Sequence, residues 1–259
     1  MHMRPIRILG LSVAFGLAVA FTWPAQAEFK VRYPIVEFRE LEIEHNGSVT
    51  FDKRNSGKNN SQSYPTEIEF GFLPWWKIGL ETNIEAQPGQ NIHYEATALE
   101  NYFQLTPQGK YWADVAFFTE VERPSNRNGA NAVTFGPLIQ KEAPGLLFGL
   151  DTLHTINLLL EREVGHNAEA GTPMRVAWQS RARLHPLFEP GFEYYADVGD
   201  ITAPGKLADQ QHRIGPIVAG FYAFPPYGKL KYEMGYLFGL TRATENGAMR
   251  WRLEYELAF

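Results

Sequence analysis

"MRWRLEYELAF", residues 249 to 259, closes the chain. Met249, Trp251, Leu253, Tyr255, Leu257 and Phe259 are apolar, and Arg250, Arg252, Glu254 and Glu256 stand between them. An apolar period of two rather than 3.6 predicts a strand with one oily and one charged face. Chain ends are usually frayed and polar, so a strand that runs out to a terminal Phe asks for a physical reason.

The other end of the sequence supplies part of it. Residues 1 to 27 carry Arg4 and Arg7 in a short basic head, an apolar run from Ile8 to Phe21, and a small-x-small site at Ala25-Gln26-Ala27. That layout predicts a secretory signal peptide cleaved after Ala27, with Ala25 and Ala27 as the cleavage determinants. The apolar run is shorter than the roughly 20 residues that span a bilayer as a helix. The expected mature chain, 28–259, is a single domain. Removing Arg4 and Arg7 leaves 22 basic against 29 acidic residues, so the formal charge moves from −5 to −7. An acidic chain has no global electrostatic case for binding nucleic acid. Cysteine is absent, which excludes disulfides and thiolate metal sites.

Beyond residue 28 the chain is cut into short pieces by Gly and Pro, and the pieces alternate. "YPTEIEFGF" sets Tyr64, Thr66, Ile68, Phe70 and Phe72 against Glu67, Glu69 and Gly71. "KIGLETNIEA" sets Ile78, Leu80 and Ile84 against Lys77, Glu81 and Glu85. About twelve such segments are predicted, near 38–51, 63–73, 76–87, 92–105, 111–123, 132–141, 146–163, 172–184, 191–199, 211–222, 229–241 and 248–259. Short connections such as "LPWW" (73–76), "TPQGK" (106–110), "EAPG" (142–145), "HPLFEP" (185–190) and "FPPYG" (224–228) alternate with long polar ones, the loop near 88–91 excepted. An up-and-down antiparallel sheet with two unlike rims has this pattern.

The polar face decides between a soluble sheet and a membrane barrel. It carries ladders of one sign: Glu40, Glu42 and Glu44, then Glu67 and Glu69, then Glu81 and Glu85, with Arg175, Arg181, Arg183, Arg250 and Arg252 later in the chain. Closing the sheet brings the first strand beside the last, and so the Glu40–Glu44 ladder beside Arg250 and Arg252; unlike charges opposite one another stabilise by roughly 0.2–1 kcal/mol per pair. Trp75, Trp76, Trp112, Trp178, Trp251, Tyr222, Phe224 and Tyr227 fall near predicted strand ends, where membrane interfaces concentrate aromatics. The expected fold is all-β: a closed, antiparallel, up-and-down transmembrane β-barrel of about twelve strands.

With these residues in view, "RWRLEYELAF" resembles the C-terminal signature strand of bacterial outer-membrane β-barrel proteins, in which alternating apolar residues end on a terminal aromatic. The resemblance implies integral outer-membrane localisation after export through the periplasm, contact with outer-membrane lipid and lipopolysaccharide, and recognition by the barrel-assembly machinery through Trp251, Leu253, Tyr255, Leu257 and Phe259. "PTEIEFGFLPWWKIGLETNIEA", "FGPLIQKE" and "LHTINLLLEREVG" are similar to uncharacterised proteobacterial outer-membrane proteins of the type encoded with phenol meta-cleavage pathways, which implies uptake of small molecules.

The expected function is a narrow passive channel or transporter for small molecules. Its lumen would be lined by Glu42, Glu44, Glu67, Glu69, Glu81 and Glu85 as an acidic wall facing Arg175, Arg181, Arg183, Arg250 and Arg252 as a basic one, a transverse field suited to small polar or zwitterionic solutes. The alternative is a structural or surface-binding barrel in which these charges neutralise one another and plug the lumen. In that case Lys53, Arg54 and Lys58 of the loop 52–63 would meet lipopolysaccharide phosphates. A lipid hydrolase needs a serine, an imidazole and an orienting group together. His154, with Thr155 and Asn157 beside it, His93 and His212 show no such set by spacing, Ser125 and Ser180 stand isolated, and no enzyme is expected. The seven His are scattered singly, no cofactor motif is present, and neither metal nor cofactor is expected.

Overall fold

A computed structural model of the chain describes residues 29–54 and 57–259; the expected cleavage site at Ala25 and Ala27 lies outside them. The strands, in chain order, are β1 (Glu40–Phe51), β2 (Gln62–Ser63), β3 (Thr66–Leu73), β4 (Trp76–Ala86), β5 (His93–Gln104), β6 (Asp114–Pro124), β7 (Asn131–Leu147), β8 (Leu150–Val164), β9 (Pro173–Ala182), β10 (Glu189–Asp200), β11 (Gln211–Ala223), β12 (Lys229–Gly239) and β13 (Gly247–Ala258). Apart from β2 and β3, each is paired antiparallel to its neighbour in sequence, and β1 pairs with β13 from Glu40 opposite Ala258 to Phe51 opposite Gly247. The two-residue β2 continues β3 in one register against β1 and β4, so the closed ring has twelve strands. Between them Pro65 lacks an N–H for the ladder. Pro65 O still accepts from Asn46 N at 2.9 Å, and Tyr64 N donates to Ile84 O at 2.8 Å, so pairing continues across the break.

The ring is oily outside and charged inside. On β3 Ile68 is 53% exposed, while Glu67 and Glu69 beside it are 1% exposed. Leu80, Met234, Phe238 and Leu253 likewise face outward. A band of exposed apolar side chains this large calls for a non-aqueous partner, and closure of the ladder satisfies the backbone polar groups that lipid could not. Trp75, Trp76 and Phe103 stack at the turn between β3 and β4, and Tyr222, Phe224 and Tyr255 stack at the turn between β11 and β12. Both clusters lie on the rim that also holds the ends of the first and last strands. Trp178 and Trp251, expected near strand ends, instead lie within β9 and β13.

Three connections depart from expectation. The turn expected at 142–145 is strand: β7 runs through Pro144 to Leu147, absorbs the proline in a register shift between Ala143 and Leu147, and turns at Phe148-Gly149, both with positive φ. This two-residue turn puts Phe148 98% exposed at the hairpin tip. After β5 the strand resumes only at Asp114, so the rim of short turns carries one longer loop, 105–113, with Trp112 exposed. The loop beginning at residue 52 is no free polar arm. Lys58 Nζ donates to Ala243 O at 3.0 Å and Arg54 Nη1 to Arg242 O at 3.0 Å, strapping it to the loop 240–246, and burial pushes the Lys58 ammonium below its ordinary pKa.

At the seam, Trp251 lies across Gly47, its partner on β1, where a β-carbon would sit inside the indole. Gly47→Val is therefore expected to destabilise the closed barrel by about 1–3 kcal/mol, the usual cost of overpacking. Adding Trp251→Ala should recover most of the loss, read as the temperature at which the unboiled, fast-migrating gel band disappears.

Candidate functional site

Residues 29–38 precede β1 and belong to no strand, yet residues 29–32, 34 and 36 are buried. The chain lies inside the ring and reverses into β1 through Arg39, whose φ of 63° is the left-handed conformation of a tight turn. Its apolar residues find niches in the wall: Phe29 and Val31 pack with Ala177, Tyr195, Leu237 and Ala248. Val36 packs with Tyr102, Ala116, Phe118 and Leu138. Its bases find carboxylates. Lys30 Nζ lies 2.5 Å from Glu67 Oε2, 3.1 Å from Glu81 Oε2 and 3.5 Å from Glu100 Oε1, with Glu44 Oε1 at 4.0 Å. Arg32 Nη2 lies 2.8 Å from Glu100 Oε1 and 3.1 Å from Glu120 Oε2, its guanidinium 4.6 Å from the centre of the Phe118 ring. Tyr33 donates its hydroxyl to Glu233 at 2.5 Å.

The backbone of this segment is held by wall side chains. Arg32 N donates to Asn157 Oδ1 at 2.7 Å, Asn157 Nδ2 donates back to Arg32 O at 2.8 Å, and Arg252 Nη1 donates to Val31 O at 3.1 Å. Val36 N donates to Gln104 Oε1 at 2.8 Å.

The expected acidic wall exists, but it is built by setting like charge against like. Glu42 is opposite Glu69 and Glu256, Glu44 opposite Glu67 and Glu254, and Glu67 opposite Glu81. The expectation that Arg250 and Arg252 would stand directly beside the Glu40–Glu44 ladder is thus corrected. The seam pairs them with Ser48 and Asn46, because the register is set by Glu40 meeting Ala258, and only Arg252 reaches Glu44, diagonally. Cations come from elsewhere: Lys77 pairs with Glu69 and, at 3.0 Å, with Glu42, and Lys231 Nζ lies 2.8 Å from Glu254. Glu85 stands apart, next to Asn83 near the far end of β4.

Nor do the arginines form a wall facing the glutamates. Arg250 is buried between Glu193 and, at 2.7 Å, Glu233. Arg175 pairs with Glu161 at 2.6 Å on the neighbouring strand, and Arg183 and Arg181 share Glu189 at 2.8 and 3.4 Å. Each of these arginines is thus paired close by rather than across the lumen. Of two cavities, the first is lined in part by Lys30, Arg32 and Tyr33 of the segment, and the second by wall and loop residues alone. The first, of about 250 Å³, opens toward the short-turn rim past Arg183, Lys229 and Lys231. The second, of about 610 Å³, opens toward the opposite rim among Glu163, Glu169, Asp200 and Asp209.

The ring shares its fold with the NanC porin. That structure superposes with a TM-score of 0.54 at 11% identity, over 85% of this chain and 100% of the other. The KdgM porin in complex with disordered oligogalacturonate gives 0.49 at 12% identity, over 85% and 99%. No family model and no curated protein matches the sequence.

The cross-strand register also makes a pair that spacing did not reveal. Ser180 stands opposite His154, its Oγ 3.0 Å from Nδ1, and Thr152 Oγ1 is 2.9 Å from Nε2. The third group is a hydroxyl, without the charge that stabilises an imidazolium in a hydrolytic triad. Oxygens of Glu67, Glu69 and Glu100 lie within 4.8 Å of one another, a spacing that could suit a metal ion, but the Lys30 and Lys77 ammonium groups and the Arg32 guanidinium already pair with them.

Removing one member of a buried ion pair strands the other. Arg250→Met should therefore lower barrel stability by about 3–5 kcal/mol, whereas Arg242→Met, at the exposed pair with Asp209, should cost less than about 1 kcal/mol. Urea unfolding of the two variants in the same lipid, followed by tryptophan fluorescence, measures the contrast.

Proposed function

We propose that this protein is an integral outer-membrane channel for small solutes, closed at mid-height by its own N-terminal segment and opened when that segment leaves. The observation that carries the reading is how the segment is held: it occupies the lumen through side-chain hydrogen bonds and ion pairs and belongs to no strand. Its departure would leave every strand-to-strand ladder intact, and water entering the lumen would rehydrate the carboxylates it leaves. The oily exterior, the charged interior and a fold shared with a porin support passage through the ring rather than a soluble role. In this reading Glu42, Glu44, Glu67, Glu69 and Glu81, with Arg181, Arg183 and Arg252, line the path on one side of the segment, and Arg175 and Glu85 lie toward the opposite rim. The outward row Trp251, Leu253, Tyr255, Leu257 and Phe259 is the edge offered to the assembly machinery before closure.

A second reading, a permanently plugged structural barrel, is favoured by the number of carboxylates gathered on Lys30 and Arg32. Planar-bilayer recording separates the two. Wild-type protein should show rare openings, and Lys30→Ala/Arg32→Ala should raise open probability at least about tenfold, the effect of losing about 1.4 kcal/mol of closed-state stabilisation. Baseline current from both, with each protein shown to be folded by its unboiled gel mobility, would leave the structural barrel and remove the channel.

A further inference from the structure

The glutamates inside the ring fall into two groups by where their cations come from. Glu42 and Glu69 are served by Lys77, and Glu254 and, chiefly, Glu44 by Arg252, both bases carried on wall strands; Lys30 reaches Glu44 only at 4.0 Å. Glu67 and Glu100 take their ion pairs from Lys30 and Arg32, which the N-terminal segment brings in. Glu100 Oε1 accepts from both bases at once, at 3.5 Å from Lys30 and 2.8 Å from Arg32, while its other oxygen accepts from the Tyr102 hydroxyl at 2.7 Å. Glu67 is 1% exposed, and its Oε1 has no hydrogen-bond partner among the described residues. Thus the wall by itself presents a shaped anionic cradle, with the Phe118 ring beside the guanidinium position for a cation–π contact.

We propose that this cradle, Glu67 and Glu100 flanked by Glu81 and Glu120, is a binding site for small organic dications, and that Lys30 and Arg32 are its tethered occupant. The inference rests on the channel reading and names the solute class for the same lumen: amines with two positive charges a short chain apart, such as aliphatic diamines or the amides and esters of basic amino acids. Two cations sharing one carboxylate match a flexible dication better than a single metal ion, and an aromatic face beside one of them suits an organic cation. A tethered occupant competes at high effective concentration, so free ligand binds appreciably only when the segment is weakened or displaced.

Calorimetric titration of putrescine, a diamine with two positive charges, into the folded, full-length protein in detergent micelles tests the site. The Lys30→Ala/Arg32→Ala variant should bind putrescine at least about tenfold more tightly than wild type. Adding Glu100→Gln to that background should return the affinity to the wild-type level, and succinate should not bind. If the double variant does not fold, Lys30→Ala alone carries the same comparison. Equal putrescine affinity in wild type and variant, or indifference to Glu100→Gln, overturns the site whatever the conductance. Putrescine binding that follows the expected pattern without any bilayer current establishes the site and removes the channel reading instead.

Discussion

Carboxylates set against carboxylates on adjoining strands cannot share a dry interior without cations between them. Glu44 opposite Glu67, and Glu67 opposite Glu81, is an arrangement that strand pairing alone would penalise. Lys77 and Arg252 relieve part of it from the wall, and Lys30 relieves the rest from a segment that lies along the axis of the ring. The barrel and its N-terminal segment are therefore one electrostatic unit. The acidic face draws cations inward, and those it holds here are the protein's own. The narrow Ala177, Ala248 and Ala116 positions that admit Phe29, Val31 and Val36 show that the wall is shaped to the segment as well as charged for it.

The same inversion of oil and charge accounts for the outer surface. A soluble sheet would turn Ile68, Leu80 and Leu253 into a core; here that volume is taken by ion pairs and by residues 29–36, and the oily side chains face out. The cost of a charged interior is offset because each buried carboxylate can keep a cation or regain water. A lumen thus tolerates what a core would not.

Much of the architecture was legible in the alternation itself. About twelve strands follow from alternating segments set between turn residues, and the separation of Glu42, Glu67, Glu81, Arg250 and Arg252 from the oily faces follows from a period of two, since a strand has only two faces; closure and the inward direction of the charged face rested on the charge ladders and the unlike loops. Which charge meets which did not follow. Pairing depends on the stagger of strands distant in sequence, which is why Arg250 went to Glu193 and Glu233 rather than to the β1 ladder, and why Ser180 met His154. "FKVRY" was the overlooked signal: Phe29, Val31 and Tyr33 alternate with Lys30 and Arg32 as a strand would, but Pro34 ends the run before it can be counted as one. The Pro144-Gly145 pair misled in the opposite direction, because a register shift let β7 continue past a turn-like dipeptide.

The account stands on residues 29–36 occupying the lumen, and the absence of cysteine makes this directly measurable. A single Val31→Cys substitution, in folded protein reconstituted in lipid, places one thiol between the segment and the wall. A bulky, membrane-impermeant maleimide should leave Cys at this position unlabelled until the protein is denatured, while Phe38→Cys, at the exposed foot of the segment, should label at once. Equal labelling at the two positions would mean that the segment lies outside the ring, and would contradict the account.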